Sequence, residues 1–477
     1  MFLASFCFWS TSYAIDCGLR GYDGHDIKAI GCESTLLTDS PVRVRAPDGT
    51  MWGISLVVPA DPQASQFRVA FIDPATGGNV IKAFAYATDE IALTCCEELQ
   101  IIGSVNTRLP RDGKFFLSQD IDCSKTNPNN PAYAGSLWDL GYKAYFTRNG
   151  VPLGYDGVPA SGDEDIPGLQ PQFGQKGWLP LGGWAGGGSM AMVLDGRGHT
   201  ISNLWADQGP GNFGEHGFLG KAINATIENL NLRNVHIYGN IRLGGLIGAA
   251  VNTTISNCSV QGLVKGSRGS VGGLLGQCGG YWCCGTWDAR GNCTIENSNF
   301  SGTVQTDDGR EMLRDGVGGL VGGGHDITIT KSYFSGNVSA TMIAYHGDES
   351  VVGGLVGYGE NTNISNSFST GVETRNGRSD SLGGLIGHHA SGAVTNSWWF
   401  SAAPNGVGNP VDGTVRKAST ANDFNYMGSG LGASVYNVWF YDAVTNPLGV
   451  WESALGDLPH LRCSQGEVWN NVSKVCQ

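Results

Sequence analysis

The sequence predicts an all-β protein whose main domain is a parallel β-helix, a β-solenoid made of stacked coils. The first observation is composition: glycine supplies 74 of 477 residues, and glycine and asparagine interrupt nearly every window of helical length. The second is a repeat of short apolar segments separated by turns, with no helical segment between them. Such units bury their strands most simply by stacking one coil per repeat.

The first residues, MFLASFCFWSTSYA, form a short apolar run that ends on small residues. This pattern resembles a secretory signal cut after Ala14, although the usual basic start is missing. The alternative is that residues 1–14 are retained and dock against a neighbouring subunit. No other segment approaches the roughly 18 apolar residues of a membrane-spanning helix. We therefore expect export, with no membrane span in the mature chain.

Residues 15–110 predict a small disulfide-bonded β domain that precedes the β-helix. The segment VRVRAPDGTMWGISLVV, from Val42, alternates around a Pro-Asp-Gly turn and predicts a hairpin. An open solenoid end exposes strand edges, so this domain is a candidate cap. The β-helix is predicted over residues 111–462. A short tail, 463–477, is predicted to close as a disulfide loop around Trp469.

The chain has 13 cysteines, and setting aside Cys7 leaves 12. Their spacing does not fit a zinc site, because no CxxC pair is accompanied by a second Cys or His pair. Disulfides formed in an oxidising compartment are the preferred interpretation, with the pairing left open. The disulfide candidates are Cys17, Cys32, Cys95, Cys96, Cys123, Cys258, Cys278, Cys283, Cys284, Cys293, Cys463 and Cys476.

The repeat has two elements. The motif GG-L-[ILV]-G begins at Gly244, Gly272, Gly318, Gly353 and Gly383, and a second element resembling TISNCSVQG begins at Thr254, Thr294, Thr328, Asn363 and Ala393. Each unit therefore predicts two short apolar strands and no helix. The spacing between copies is irregular, which is typical of loops of variable length.

The second element also predicts a corner. Ile364 is expected to point inward, and the next small or apolar position, at Ser367, follows after an odd step that a flat strand cannot make. Asparagine tolerates left-handed backbone and can form a hydrogen-bonded ladder between coils. The predicted structural corner ladder is Asn229, Asn257, Asn297, Asn366 and Asn396, with Lys331 in the same column. A further inward column is predicted at Leu232, Val260, Phe300, Phe334, Ser369 and Trp399.

These segments resemble the GLUG-motif repeat family. FFLSQDIDCS at Phe115, GWLPLGGWAGGG at Gly177 and LDGRGHTISNL at Leu194 are similar to its lead-in coils, and ALGDLPHLR at Ala454 to its closing segment. The resemblance covers roughly residues 115–462. It implies a β-helix in a secreted or cell-surface bacterial protein, either adhesin-like or a stalk of a larger protein. It implies no shared catalytic residues.

One insertion departs from the family pattern. QCGGYWCCGTWDARGNC, from Gln277, predicts a disulfide-stapled protrusion that carries Tyr281, Trp282 and Trp287. We expect a recognition loop, with a plug whose tryptophans pack back on the coil as the alternative. Trp398 and Trp399 are adjacent on a predicted strand, so one of them is expected to face solvent and to contact a glycan or a neighbouring subunit.

Charge limits the partners and cofactors. The formal net charge is −13 and no basic stripe is present, which excludes a nucleic-acid partner. No cofactor is expected. Calcium is an alternative at the carboxylates Asp156, Asp163, Glu164 and Asp165, but their spacing matches no EF-hand loop, and a solvated surface loop is preferred.

An enzymatic alternative rests on acidic and histidine residues near turns. Glycosidases need two positioned carboxylates, and lyases need a positioned base. The candidates considered are Asp195, Asp307, Asp308, Glu311, Asp315, Asp348, Glu349, His325, His346, His388 and His389. A solvated loop rim explains them equally well, and no GxSxG, HExxH or Walker motif is present.

The preferred hypothesis is a secreted, non-enzymatic scaffold, adhesin or filament subunit. It would bind a glycan or surface ligand, or self-associate, through its inserted loops and ends. The alternatives are a polysaccharide-degrading lyase or glycosidase and a phage-type receptor-binding spike.

Overall fold

The structure is a computed structural model, and its chain divides into two compact units, residues 1–236 and 237–477. It describes residues 19–20, 26–30, 42–45, 51–58, 66–72, 79–85, 90–93, 95–102, 111–140, 147–148, 151–152, 175–183, 188–209, 214–279, 281–283, 286–288, 291–307, 316–341, 351–376, 381–409, 416–417, 451–452, 460–461, 469–470 and 475–476. Residues 1–14, Cys17, Cys32 and the four carboxylates of the calcium alternative lie outside these ranges.

The first unit opens with an antiparallel sheet in which each strand pairs with the next along the chain. Its strands are β1 (Leu19–Arg20), β2 (Asp26–Ile30), β3 (Val42–Arg45), β4 (Met51–Val58), β5 (Gln66–Ile72) and β6 (Asn79–Ala85). The predicted hairpin is present, because β3 and β4 pair antiparallel with Val42 opposite Ile54.

The remaining strands of this unit belong mainly to the coils. They are β7 (Glu90–Leu93), β8 (Lys114–Leu117), β9 (Ile121–Asp122), β10 (Thr147–Arg148), β11 (Val151–Pro152), β12 (Lys176–Gly177), β13 (Val193–Asp195), β14 (Thr200–Ser202), β15 (Trp205–Asp207), β16 (Leu219–Ile223), β17 (Thr226–Glu228) and β18 (Asn231–Gly239). β7, β8, β13 and β17 are successive strands of one parallel sheet. The parallel sheet therefore begins at Glu90, earlier than the boundary at residue 111 that the sequence predicts.

Short helices lie between these strands: α1 (Cys96–Ile101), the 3-10 helices Ser124–Thr126 and Pro131–Tyr133, and α2 (Leu137–Leu140). Gln100 on α1 is buried, and its Oε1 accepts hydrogen bonds from Trp138 Nε1 at 2.7 Å and from Leu179 N at 3.0 Å. Buried Glu97 forms an ion pair with Lys125 at 2.9 Å. Because these buried polar groups are paired, the helix can sit in the interior at little cost.

Most of the described strands of the second unit are parallel, and three two-stranded sheets among them are antiparallel. All the strands that follow are given in chain order. They are β19 (Leu243–Gly244), β20 (Ile247–Val251), β21 (Thr254–Ser256), β22 (Ser259–Gly266), β23 (Val271–Gly272), β24 (Leu275–Cys278), β25 (Tyr281–Cys283), β26 (Thr286–Asp288), β27 (Cys293–Glu296), β28 (Asn299–Thr306), β29 (Val317–Gly318), β30 (Val321–His325), β31 (Ile327–Thr330), β32 (Tyr333–Thr341), β33 (Val352–Gly353), β34 (Val356–Glu360), β35 (Thr362–Ser365), β36 (Phe368–Ser369), β37 (Val372–Asn376), β38 (Leu382–Gly383), β39 (Ile386–His389), β40 (Gly392–Thr395), β41 (Trp398–Trp399), β42 (Val407–Asn409), β43 (Arg416–Lys417), β44 (Trp451–Glu452), β45 (His460–Leu461), β46 (Trp469–Asn470) and β47 (Val475–Cys476).

The repeats of this unit build a parallel β-helix, which confirms the predicted fold class. Equivalent residues of successive coils lie in register: Ile255 pairs with Ile295, Ile295 with Ile329, and Ile329 with Ile364. Each repeat contributes four short strands, not two. The GG-L-[ILV]-G motif bends within itself, so its first glycine ends a strand of one sheet and its [ILV] residue begins a strand of the next.

The second glycine of that motif packs directly against an aromatic ring of its own coil and against the backbone of the next coil. A Cβ at Gly319 would lie 2.1 Å from Gly354 O and 2.2 Å from Cγ of Phe334. The ring of Phe334 therefore rests on bare backbone, and it stacks on Phe300 of the neighbouring coil with centroids 6.2 Å apart. Any larger residue at this position would displace backbone as well as the ring.

The predicted corner is confirmed, because its residues adopt left-handed backbone. The φ angles are 53° at Asn229, 51° at Asn257, 47° at Asn297, 48° at Lys331, 50° at Asn366 and 44° at Asn396. Side-chain amide bonds between coils are instead seen mainly in two other left-handed columns, one beside β14 and β18 and one at the turns that precede β21, β27, β31 and β35. They join Asn234 to Asn203 at 2.7 Å, Asn292 to Asn252 at 2.8 Å, and Asn361 to Asp326.

The residues after the corner form a hydrogen-bonded serine ladder, which the sequence predicted only as a column of small side chains. Each serine hydroxyl donates to the carbonyl two residues earlier and accepts the backbone N–H of its counterpart in the neighbouring coil. The N–H donors and their acceptors are Cys258 to Ser298 (3.1 Å), Ser298 to Ser332 (3.2 Å), Ser332 to Ser367 (3.1 Å) and Ser367 to Ser397 (3.2 Å). The ladder satisfies buried backbone donors that the turn leaves without a strand partner.

Candidate recognition surface

The insertion after Gln277 contains a hairpin. β25 and β26 pair antiparallel, with Cys283 opposite Thr286 and Trp282 directly opposite Trp287. Tyr281 lies opposite Asp288. Directly opposed residues of an antiparallel pair have Cβ atoms about 5 Å apart, so the register brings two tryptophan positions together.

A disulfide closes the base of this insertion. Cys278 at the end of β24 is bonded to Cys293 at the start of β27, with 6.1 Å between their Cα atoms. Both cysteines are buried. β24 and β27 keep their parallel pairing with the coil strands on each side. The hairpin is therefore added between two coil strands without changing their register.

A second disulfide, Cys96–Cys123, ties α1 to the residue that follows β9. Cys95 is buried next to it but is in neither of these two bonds. The disulfide prediction is wrong for Cys258, whose thiol donates to Ser256 O at 3.2 Å and occupies a serine position of the ladder. Cys284 and Cys463 lie outside the described residues, and the side chains of Cys283 and Cys476 are not described either.

The prediction of an exposed tryptophan at Trp398 or Trp399 is wrong, because both are buried, with 3% and 4% exposure. Trp399 takes the inward position, where a Cβ on Gly384 would lie 2.1 Å from its Cδ1, and its Nε1 donates to Ala403 O at 3.2 Å. Trp398 pairs with buried Phe368, so the outward face of this sheet is also covered.

The acidic and histidine candidates are held in separate local contacts. Asp195 accepts hydrogen bonds from Arg197 N at 2.8 Å and from Asn229 Nδ2 at 2.9 Å, as a turn residue does. Asp307 pairs with Lys265 at 2.9 Å. Asp308, Glu311, Asp315, His346, Asp348 and Glu349 lie outside the described ranges.

The described histidines of this set lie at the C-terminal ends of two strands of one sheet, β30 and β39. Buried His325 approaches Glu360 Oε2 through Nδ1 at 3.3 Å, and the ring of His388 stacks on Tyr358 with centroids 5.0 Å apart. His389 Nε2 lies 3.0 Å from Thr362 O. The described residues hold no group of three or more His, Cys, Asp or Glu side chains placed to bind a metal ion.

The parallel β-helix and the insertion closed by a disulfide define the class of this protein, which is that of disulfide-containing parallel β-helix proteins. Residues 239–264 and 348–374 match the family model of the GLUG motif, which confirms the resemblance at two of the repeats. The disulfides and the motif are compatible with an extracellular protein. Among the helices that the structure describes, none has the length and apolar character to cross a membrane.

A search of curated proteins finds no match to this chain. Among solved structures, one of an IgA1 protease is similar, with 18% sequence identity and a TM-score of 0.40. The similarity covers 77% of this chain and 26% of that one, so the chain spans about a quarter of that protein's length.

Proposed function

We propose that this protein is a non-enzymatic extracellular scaffold of the adhesin type that binds a glycan through the hairpin β25–β26. The observation that carries the proposal is the opposed pair Trp282 and Trp287 on a hairpin outside the coil repeats. Tryptophan offers a large rigid surface together with one hydrogen-bond donor, which suits a ligand that has both apolar and polar faces.

The position of the hairpin supports this role. Binding residues are commonly displayed on loops that a rigid scaffold holds in place. Here the scaffold is a stack of hydrogen-bonded coils, and the Cys278–Cys293 bond joins the two ends of the insertion. A loop restrained in this way loses less conformational freedom when a ligand binds.

A double substitution, Trp282→Ala with Trp287→Ala, is expected to weaken glycan binding at least tenfold, about 1.4 kcal/mol. The measurement is a glycan array with the secreted protein, followed by titration of the best ligand. Val372→Ala is the control, because Val372 is an apolar side chain with 48% exposure outside the hairpin, and its loss is expected to leave binding unchanged. Unchanged affinity in the double variant would refute the proposal.

Cys278→Ser with Cys293→Ser is expected to weaken glycan binding about three- to tenfold, because the open insertion must be ordered by the ligand. Titration of the same ligand measures the change, and circular dichroism checks that the coils remain folded. A Cys96→Ser with Cys123→Ser variant removes the other bond and is expected to bind as the wild type does. Equal affinities for both pairs would show that the bond at the insertion does not assist binding.

Self-association is a second candidate, favoured by the strand β40. It is the last described strand of its sheet, and Val394 is half-buried where Ile329 and Ile364 of the preceding coils are buried. An edge of this kind can pair with another chain. Size-exclusion chromatography with negative-stain microscopy tests it, since discrete monomers at high concentration would exclude a filament subunit.

The non-enzymatic part of the proposal has its own test. The protein is expected to release no product from a panel of acidic and neutral polysaccharides. If degradation is seen and is abolished by Asp308→Asn or Asp348→Asn, the enzymatic alternative replaces the scaffold.

A further inference from the structure

Glu373 is a buried carboxylic acid at a position that other coils fill with valine. β32 and β37 are in parallel register with Glu373 paired to Val338, and the same column holds Val264 and Val304 in the preceding coils. The three valines are fully buried and Glu373 is 4% exposed. A carboxyl group has therefore replaced an aliphatic side chain inside the β-helix, at the cost of its hydration.

A second substitution in the same coil makes room for it. Ser369 stands in the inward column where Phe300 and Phe334 stand in the preceding coils. A Cβ on Gly354 would lie 2.4 Å from Ser369 Oγ and 2.7 Å from Glu373 Oε1. The carboxyl group thus covers the glycine that a phenylalanine ring covers in the earlier coils.

The carboxyl group is only partly satisfied. Ser369 Oγ donates to Glu373 Oε1 at 3.3 Å, whereas Oε2 has no hydrogen-bond partner among the described residues. A neutral carboxyl group tolerates such a site far better than a carboxylate does.

Among the described residues, few charged groups lie around Glu373. The ionised form is favoured by the hydroxyl of Ser401, by the backbone N–H of Glu373 itself, by the hydroxyl of Ser369 and, least, by Lys417 on β43. On the strand of Glu373 the next inward position is Arg375, which is half-buried. Val338 on β32 is paired with Glu373 in the parallel register, and Gly354, which follows β33, lies against Glu373 Oε1; neither residue carries a charge. Burial prevails over these contacts and raises the pKa of Glu373 to about 7.

We propose that Glu373 is a pH-sensitive latch for the coils from Val352 to Trp399. With a neutral carboxyl group these coils close around it, and when the group ionises the coils open locally. Coils of a solenoid contact mainly their neighbours, so a terminal part of the stack can open while the rest stays folded. The latch is independent of glycan binding by the hairpin.

The direction in which pH changes the stability of the closed coils follows from the pKa of Glu373 in the open and closed forms. In the open coils Glu373 has its ordinary pKa of 4.5, and in the closed coils it has a pKa of about 7. The closed form is therefore most favoured below pH 4.5, loses stability as the pH rises to 7, and loses little more above that value. Between pH 5.5 and 8.5 the equilibrium constant for opening is expected to rise about thirtyfold.

Amide hydrogen exchange of the full chain tests the latch. After correction for the intrinsic pH dependence of exchange, peptides from residues 352–399 should lose about thirtyfold protection between pH 5.5 and 8.5, and peptides from residues 254–306 should not. Glu373→Gln keeps the shape and removes the charge, so its protection should not change over this range. Glu296→Gln, at a partly exposed carboxylate near Lys331, is the control and should behave as the wild type.

A second variant keeps the test decisive if Glu373→Gln does not fold. Ser369→Phe with Glu373→Val restores the residues of the preceding coil and should protect residues 352–399 equally at both pH values. The proposal is overturned if the pH dependence persists in either variant, or if the wild type shows none in these peptides.

Discussion

A Gly319→Ala variant is expected to lose about 4 kcal/mol or more of its free energy of unfolding, which places it among the most damaging single substitutions. The added Cβ would lie 2.1 Å from Gly354 O and 2.2 Å from Phe334 Cγ, so one contact is with backbone of the next coil and cannot be relieved by a rotamer change. Both the ring and the backbone at Gly354 must move. Denaturant unfolding followed by tryptophan fluorescence measures the loss.

Gly269→Ala is the matched control for this substitution. Gly269 lies in the same unit and has a φ of 77°, but the nearest atom to its added Cβ is the Ile241 side chain at 3.1 Å. We expect a cost of about 1–2 kcal/mol, set by left-handed backbone alone. If Gly319→Ala lowers the free energy of unfolding no more than Gly269→Ala does, the close packing of the Phe334 ring on Gly319 does not stabilise the coils.

Ser332→Ala is expected to destabilise the second unit by about 2–3 kcal/mol, although it removes a single oxygen atom. The buried N–H of Ser298 donates to Ser332 Oγ at 3.2 Å and would lose its acceptor. Because an unsatisfied buried donor costs its full desolvation, the loss exceeds that of an ordinary hydrogen bond. The change in midpoint of urea unfolding measures it.

Ser332→Cys separates this explanation from simple loss of volume. Cys258 already occupies the ladder and its thiol donates to Ser256 O at 3.2 Å, so a thiol fits the position. The sulfur of a thiol is also a weak acceptor, which the N–H of Ser298 can use in the Ser332→Cys variant. We expect the cysteine variant to lose less than half as much stability as the alanine variant. Equal losses in the two variants would mean that the hydrogen bonds of the ladder contribute little.

The coil architecture could be predicted from the sequence because its signals are local. An odd step between inward residues requires a corner, and asparagine at that step tolerates the left-handed backbone seen at Asn257 and Asn366. The bend inside GG-L-[ILV]-G could not be predicted, because it depends on close approach between neighbouring coils. The helix α1 was missed for a related reason, since its six residues are stabilised by distant partners such as Trp138 and Leu179.

The candidate site was predicted in part. The Cys278–Cys293 bond and the hairpin agree with a stapled insertion, since cysteines flank a segment with no counterpart in the other repeats. The burial of Trp398 could not be predicted, because strand alternation indicates the face of the sheet on which a residue lies but not whether that face is covered. The sequence does carry a signal for Glu373, because aligning the repeats places this carboxylic acid in the column of Val304 and Val338.

The serine ladder also bears on how such a chain can change over evolutionary time. The ladder partners are separated by 40, 34, 35 and 30 residues along the sequence, yet their bonds have nearly the same length. Residues added or deleted between two strands leave each rung where it was. A single genetic insertion can therefore give one coil a new appendage without compensating changes elsewhere, and the segment from Cys278 to Cys293 has the form that such an event would leave.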